Sequence, residues 1–201
     1  MVDLVSFDLD GTLVDTASEI AEAANRALDA HGIPRRPPAE IALLIGAGTR
    51  ELMNKLLARC FLDDTNLAAR VRVDDVLASM DEHYTVTTGT SAAPYAGCRK
   101  ALTDLKQAGV RLACTTNKEL RHAQRVLQVT GLNDCFDLVI GGDSLPEKKP
   151  HASVLRYVAQ QLGVPAGRAA HLGDSAIDVA AARNAGVAAW AVPYGYNAGL
   201  P

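Results

Sequence analysis

Residues 7–15 read Phe-Asp-Leu-Asp-Gly-Thr-Leu-Val-Asp and continue from the end of the apolar run Leu4–Phe7, near the start of the chain. The apolar run predicts a buried strand, and Asp8 and Asp10 follow it directly. Side chains at positions i and i+2 of an extended chain point to the same face. Because two adjacent carboxylates repel each other, the pattern predicts either a divalent cation beside them or a solvated turn.

Four further apolar runs have the length and continuous character of strands that are buried on both faces. Helical stretches lie between them, at Leu120–Val129, Ala152–Leu162 and Ile177–Ala185. Strands that alternate with helices of this length predict right-handed βαβ units and a parallel sheet. The fold class is therefore α/β, with a Rossmann-like three-layer core and a parallel five-stranded sheet. The four further strands are predicted at Val110–Cys114, Leu138–Ile140, Ala169–Leu172 and Ala188–Val192.

The segment 15–92 interrupts this alternation and contains no stretch that is typical of a strand. We expect it to be an inserted α-helical cap domain, with an α/β core made of residues 1–14 and 93–201. An insert that leaves from the end of the first strand lies above the sheet edge where ligands bind. Asp15 and Thr16 are candidate N-caps of its first helix. The first predicted helix ends near Ala30, and a short second helix begins at Pro37-Pro38 and ends near Gly46-Ala47-Gly48. Two more helices are predicted from Thr49 to about Cys60 and from Thr65 to about Tyr84.

Three more polar clusters follow predicted strands, so the topology brings them to the same edge of the sheet. Thr116 and Asn117 can hold a phosphoryl oxygen through a hydroxyl and free N–H groups, although both residue types are also ordinary N-caps. Lys149, next to Pro150, can aim a positive charge at a phosphoryl group, although surface lysines are usually solvated. The third cluster, residues 173–178, contains Asp174 and Asp178. These two acids either share a helix face at the site or are ordinary helix N-terminal acids that complement the helix dipole. Together the four clusters predict a site for Mg²⁺ and a phosphoryl group.

These motifs resemble, in the same order and over nearly the whole chain, those of the haloacid dehalogenase superfamily of phosphohydrolases. The matching residues are Asp8-x-Asp10-Gly11-Thr12, Thr116, Lys149 and Gly173-Asp174-Ser175-x-x-Asp178. The helical insert and the local match at residues 116–118 are similar to the phosphoglycolate phosphatase-like branch. The resemblance implies a Mg²⁺-dependent phosphomonoesterase that acts on 2-phosphoglycolate, or on another small phosphomonoester such as a sugar phosphate.

The resemblance also implies a role for each catalytic residue. Asp8 is the nucleophile that forms an aspartyl-phosphate, and Asp10 is the general acid and then the general base. Thr116, Lys149 and the backbone of Asn117 hold the phosphoryl group. The chemistry is therefore expected to reside entirely in the core, with the cap left to set specificity.

The metal site implied by the resemblance uses oxygen ligands only. Mg²⁺ is expected to bind the carboxylates of Asp8 and Asp174 and the backbone carbonyl of Asp10. Asp178 is expected to act on the site through water or Lys149. Gly173 lets the backbone approach this cluster closely because it has no side chain.

Specificity is expected to come from Arg50, which follows Gly46-Ala47-Gly48-Thr49 in the cap. Its guanidinium could meet a substrate carboxylate with two hydrogen bonds, or it could simply be solvated at a helix N-terminus. Two other functions stay open. A phosphomutase of the superfamily usually has Val where this chain has Thr12. A non-enzymatic receiver-like phosphoacceptor lacks a helical insert after the first strand.

Composition and charge exclude several classes of protein. Twenty Lys and Arg against 23 Asp and Glu give a net charge of −3, which provides no basic excess for nucleic acid or acidic membranes. No apolar run approaches the roughly 18 residues of a membrane span, and the N-terminus has no signal-peptide pattern. The four cysteines form no CxxC pair. We expect a cytoplasmic enzyme with a small-molecule substrate and neither a nucleic-acid nor a membrane partner, and the oligomeric state stays open.

Overall fold

A five-stranded parallel sheet is the centre of the computed structural model, which describes residues 2–197. The strands are β1 (Leu4–Phe7), β2 (Val14–Asp15), β3 (Ala93–Pro94), β4 (Arg111–Thr115), β5 (Leu138–Ile140), β6 (Ala169–Gly173) and β7 (Ala188–Ala191). The order across the sheet is β5-β4-β1-β6-β7, and every pairing in it is parallel. The predicted α/β fold class is therefore confirmed, while Met1 and residues 198–201 of the predicted core lie outside the described residues.

Nine helices of the described chain surround this sheet or form the insert. They are α1 (Ala17–Ala30), α2 (Pro38–Ala42), α3 (Thr49–Asp63), α4 (Leu67–Arg70), α5 (Val73–Thr87), α6 (Cys98–Gln107), α7 (Leu120–Val129), α8 (Ala152–Gln161) and α9 (Ala176–Ala185). None of the helices within residues 2–197 has both the length and the apolar character that a bilayer crossing needs.

The three layers follow from the alternation of side chains along β1. Val5 and Phe7 pack with Leu102 of α6 and Val126 of α7 on one face of the sheet. Leu4 points to the opposite face, where it joins residues of α8 in a second apolar cluster. Because both faces are covered, a continuous apolar run is stable in the strand, as the sequence indicated.

The inserted helices have an apolar core of their own. Every buried member of that cluster lies between Ile20 and Tyr84, and the cluster is separate from those beside the sheet. The short antiparallel pair of β2 and β3 joins the insert to the core at its two chain crossings. This arrangement supports the proposed division into a cap at 15–92 and a core, which stays a prediction.

The structure corrects four details of the sequence prediction. The helix expected from Thr65 to Tyr84 is broken at Val71 and Arg72, which are extended, because Val71 turns inward to pack on the cap core. Helix α6 was not predicted, nor was the β2–β3 pair. The side chain of Thr16 does not cap α1 but donates a hydrogen bond to Asp10.

Candidate active site

The carboxyl ends of three neighbouring strands bring the predicted residues together. Asp8 follows β1, Thr116 follows β4 and Asp174 follows β6, and β1 pairs in parallel with both other strands. All three side chains are buried, as is Lys149 from the loop before α8. A parallel sheet therefore assembles a polar cluster at one edge from residues far apart in sequence.

Lys149 links two buried carboxylates of this cluster. Its Nζ lies 2.9 Å from Oδ1 of Asp8 and 2.7 Å from Oδ1 of Asp178. Burial alone would lower the pKa of Lys149, but the two carboxylates outweigh burial and hold this pKa above its ordinary value. The ammonium is therefore charged and fixed beside the predicted nucleophile.

Asp178 has hydrogen-bond donors on both of its oxygens. Besides Lys149, Oδ1 lies 3.2 Å from Nε2 of His171, and Oδ2 accepts from the backbone N–H and the hydroxyl of Ser175 at 3.1 and 2.6 Å. A Cβ on Gly173 would lie 2.2 Å from Cγ of Asp178, so the glycine makes room for this carboxylate. Such full engagement suits a residue that orients Lys149 rather than one that binds a metal directly.

The acidic cluster has the chemistry of a cation site. Asp8, Asp174 and Asp178 each offer one carboxylate oxygen, and these oxygens lie within 4.8 Å of one another. Burial raises the pKa of Asp8 to about 7, against the opposing charge of Lys149, and burial also raises the pKa of Asp174 to about 6. A hard divalent ion such as Mg²⁺ fits the oxygens of Asp8 and Asp174, because it compensates the charge that burial penalises, while Asp178 stays engaged with Lys149.

Asp174 is held in place by close backbone contacts. Oδ1 accepts a hydrogen bond from the hydroxyl of Thr12 at 3.3 Å, and Oδ2 accepts from the backbone N–H of Tyr196. A Cβ on Gly11, whose φ is +82°, would lie 2.3 Å from Oδ2. Glycine at this turn therefore lets the DxDGT segment lie against Asp174.

Asp10 shares the cavity with Asp8 but takes different partners. Its Oδ1 lies 2.7 Å from Nζ of Lys118 and accepts a hydrogen bond from Oγ1 of Thr16 at 2.6 Å. Its Oδ2 has no partner among residues 2–197. The carboxyl is thus anchored by one oxygen and open at the other, which suits a group that exchanges a proton with substrate.

Several backbone donors at the site lack acceptors. Within the described residues, the N–H groups of Leu9, Asp10 and Asn117 make no hydrogen bond. The side chain of Asn117 donates instead to the carbonyls of Gly46 and Lys149, at 3.1 and 2.9 Å. Free N–H groups beside a buried lysine suit the negative oxygens of a phosphoryl group.

A small cavity between the cap and the core joins these groups. It is lined by Asp8, Asp10, Thr116 and Lys118 from the core and, from the cap, by Ile20, Ile45, Gly46, Gly48, Thr49 and Leu52. Its volume is about 20 Å³, which is room for about one water molecule. A phosphomonoester is much larger than this volume, so we expect the inserted helices to move relative to the sheet when it binds.

The structure does not bring Arg50 to this cavity. Its side chain is 68% exposed and lies 3.6 Å from Asp74, in a neighbouring groove. The sequence reasoning assigned no role to Lys118, Tyr84, His171 or Tyr196, all of which contact site residues. Lys118 had a sequence signal in its place beside Thr116 and Asn117, and Tyr196 had one in the segment Gly195-Tyr196-Asn197, which resembles the same branch.

The chain is similar to known hydrolases in sequence and in overall fold. A family model for haloacid dehalogenase-like hydrolases matches residues 2–186. A Cupriavidus necator protein named phosphoglycolate phosphatase, plasmid, is 41% identical over 192 residues, which cover 96% of this chain and 81% of that protein. The crystal structure of a predicted phosphoglycolate phosphatase from Haemophilus somnus matches with a TM-score of 0.90 at 30% identity, covering 100% of this chain and 89% of the other. CbbY from Rhodobacter sphaeroides in complex with phosphate matches with a TM-score of 0.78 at 26% identity, covering 98% and 88%.

Proposed function

The chain belongs to the haloacid dehalogenase-like hydrolase family, and from that premise we propose that it hydrolyses 2-phosphoglycolate to glycolate and phosphate. The relatives named phosphoglycolate phosphatase support the substrate and the class, a phosphoric monoester hydrolase. The observation that carries the mechanism is the buried Asp8, with Lys149 on one oxygen. The reaction proceeds through an aspartyl-phosphate on Asp8 and depends on Mg²⁺.

In the first step, Asp8 attacks the phosphorus atom. Its Oδ2 has no partner among the described residues and is free to form the new oxygen–phosphorus bond, while Lys149 holds Oδ1. The bond from phosphorus to the ester oxygen breaks, and Asp10 gives that oxygen a proton. The free N–H groups of Leu9, Asp10 and Asn117 hold the phosphoryl oxygens as negative charge develops there.

In the second step, water attacks the phosphorus atom of the aspartyl-phosphate. Asp10 removes a proton from this water, the bond between phosphorus and Asp8 breaks, and inorganic phosphate leaves. Asp8 and Asp174 would hold Mg²⁺, which supplies positive charge against the phosphoryl oxygens when it is bound. Asp178 keeps Lys149 oriented toward Asp8 throughout.

The test is phosphate release from a panel of small phosphomonoesters, with Mg²⁺ and with EDTA. The panel contains 2-phosphoglycolate, hexose phosphates and nucleotides, and Asp8→Asn is the matched control. We expect Mg²⁺-dependent release that is greatest with 2-phosphoglycolate and absent in the control. Release mainly from a hexose phosphate would reassign the substrate but keep the mechanism. Release that persists in metal-loaded Asp8→Asn would refute the assignment of the nucleophile.

A further inference from the structure

We propose that Lys118 is the residue that selects a substrate with a carboxylate next to its ester oxygen. This inference rests on the proposed function, because it concerns the residue that recognises the carboxylate of 2-phosphoglycolate. It replaces the role that the sequence analysis expected of Arg50.

Lys118 is a buried cation that faces the cavity rather than solvent. Its side chain is 2% exposed, and the residue lines the cavity together with Asp10 and Thr116. An ammonium carries three donors, and the described residues accept two of them: Oδ1 of Asp10 at 2.7 Å and the hydroxyl of Tyr84. One N–H therefore remains for a ligand in the cavity.

The position of Asp10 determines where a substrate carboxylate must lie. In the proposed mechanism Asp10 contacts the ester oxygen of the substrate. In 2-phosphoglycolate that oxygen and the carboxylate oxygens are separated by an O–C–C–O unit, which spans about 3 Å at ordinary bond lengths. The carboxylate thus falls within a few ångströms of Asp10, where Nζ of Lys118 already lies.

Charge balance favours the same assignment. Among the described residues that line the cavity, Lys118 carries the only positive charge, whereas Asp8 and Asp10 are both acidic. A substrate carboxylate would be a third negative group in this small, largely buried cavity, and burying such a group without a cation is costly. Arg50 is 68% exposed and lies outside the cavity lining, so it does not meet this need.

Tyr84 of the inserted helix α5 fixes the direction of this lysine. Its hydroxyl accepts from Nζ, and the ammonium also lies 5.0 Å from the centre of its ring. The ring itself packs on His122, with centroids 4.5 Å apart. Lys118 is therefore anchored from the core by Asp10 and from the cap by Tyr84, which holds the donor at the cavity between them.

The experiment compares two ligands that differ in one group. 2-Hydroxyethyl phosphate has the same O–C–C–O skeleton as 2-phosphoglycolate, with a neutral hydroxyl in place of the carboxylate. Binding of each is measured by calorimetry with Mg²⁺ in the Asp8→Asn background, so the result does not depend on turnover. With Lys118 present, we expect 2-phosphoglycolate to bind about 10- to 100-fold more tightly, the usual range for a hydrogen bond to a charged group.

Replacing Lys118 by Met or by Gln in that background should reduce this ratio to near one. The exposed lysine change Lys100→Met is the matched control and should keep the ratio. Lys118→Gln retains polar contacts with Asp10, so it carries the test if the Met variant does not fold. A ratio that survives in Lys118→Gln, or that is near one before any change at Lys118, would overturn the proposal.

The same variants separate this proposal from the proposed function. If Lys118 only positions Asp10, replacing Lys118 in the enzyme that retains Asp8 should lower kcat for both ligands by the same factor, while the ratio of the two binding constants is retained. This outcome refutes carboxylate selection. If the unmodified enzyme, which retains Asp8, releases no phosphate from 2-phosphoglycolate but the binding ratio depends on Lys118, the proposed function fails and the inference stands.

Discussion

Gly173→Ala tests the coupling between Asp178 and Lys149 without changing any charge. The new Cβ would lie 2.2 Å from Cγ of Asp178, a distance that real Cβ contacts essentially never show, so the carboxyl group must move. The hydrogen bond of 2.7 Å to Lys149 and the contact of 3.2 Å to His171 are then lost or lengthened. Breaking a buried ion pair by removing one partner costs about 3–5 kcal/mol, and we expect about 3 kcal/mol for this displacement.

The loss should appear both in stability and in turnover. For a protein of this size about 3 kcal/mol corresponds to a fall in Tm of roughly 6–12 °C. Trp190, the single tryptophan, pairs with Leu172 in the sheet, so its fluorescence reports the unfolding of this region. Phosphate release should fall as well, because Lys149 loses the partner that orients it.

Gly167→Ala is the matched control for this change. Gly167 lies in a 3₁₀ turn, and a Cβ there meets no atom within 4 Å. The free energy of unfolding of Gly167→Ala should stay within about 1 kcal/mol of that of the unmodified protein. Equal effects of the two glycine changes on Tm and on phosphate release would refute the role given to Asp178.

Three further predictions concern stability and metal binding. Tyr196→Phe should lower the free energy of unfolding by about 1–2 kcal/mol, because the Tyr196 hydroxyl accepts hydrogen bonds from the N–H groups of Thr16 and Ala17 at the start of α1. An unchanged urea midpoint would contradict this prediction. His122 should contribute a loss of stability as the pH drops below about 6.5, because burial lowers its pKa and the unfolded chain then binds more protons at this residue. The difference in Tm between His122→Phe and the unmodified protein should therefore shift in favour of the variant between about pH 7.5 and about pH 5.5, and a difference that does not change with pH would count against this contribution. Mg²⁺ should raise Tm and EDTA should reverse the rise, whereas Asp174→Asn should show little rise; an undiminished rise in that variant would exclude Asp174 as a ligand.

The sheet could be predicted because its strands are continuous apolar runs covered on both faces. The strand expected at Val110–Cys114 lies at Arg111–Thr115, and the helix expected at Ala152–Leu162 ends one residue earlier. Helix α6 was missed although Cys98, Leu102 and Leu105 follow a helical period. The break at Val71 could not be seen because tertiary packing of that side chain, rather than local propensity, interrupts the helix.

The motif residues of the candidate site could be predicted because each follows a strand of one parallel sheet. Their partners could not be predicted, because these contacts depend on tertiary packing and on side-chain direction rather than on a local motif. Tyr84 reaches Lys118 from the inserted helices, and His171 reaches Asp178 from within β6. Arg50 follows a glycine-rich turn and was expected to bind a substrate carboxylate, but its side chain lies in solvent.

The most direct test of the central claim is to trap the phosphoryl group on the enzyme. The protein is mixed with 2-phosphoglycolate and Mg²⁺, quenched in acid during turnover and reduced with borohydride, which converts an aspartyl-phosphate to homoserine. Peptide mass spectrometry then identifies the modified residue. If Asp8 is the nucleophile, homoserine forms at Asp8 and at no other acid. Homoserine at Asp10, or none at Asp8 while phosphate is released, would contradict this assignment.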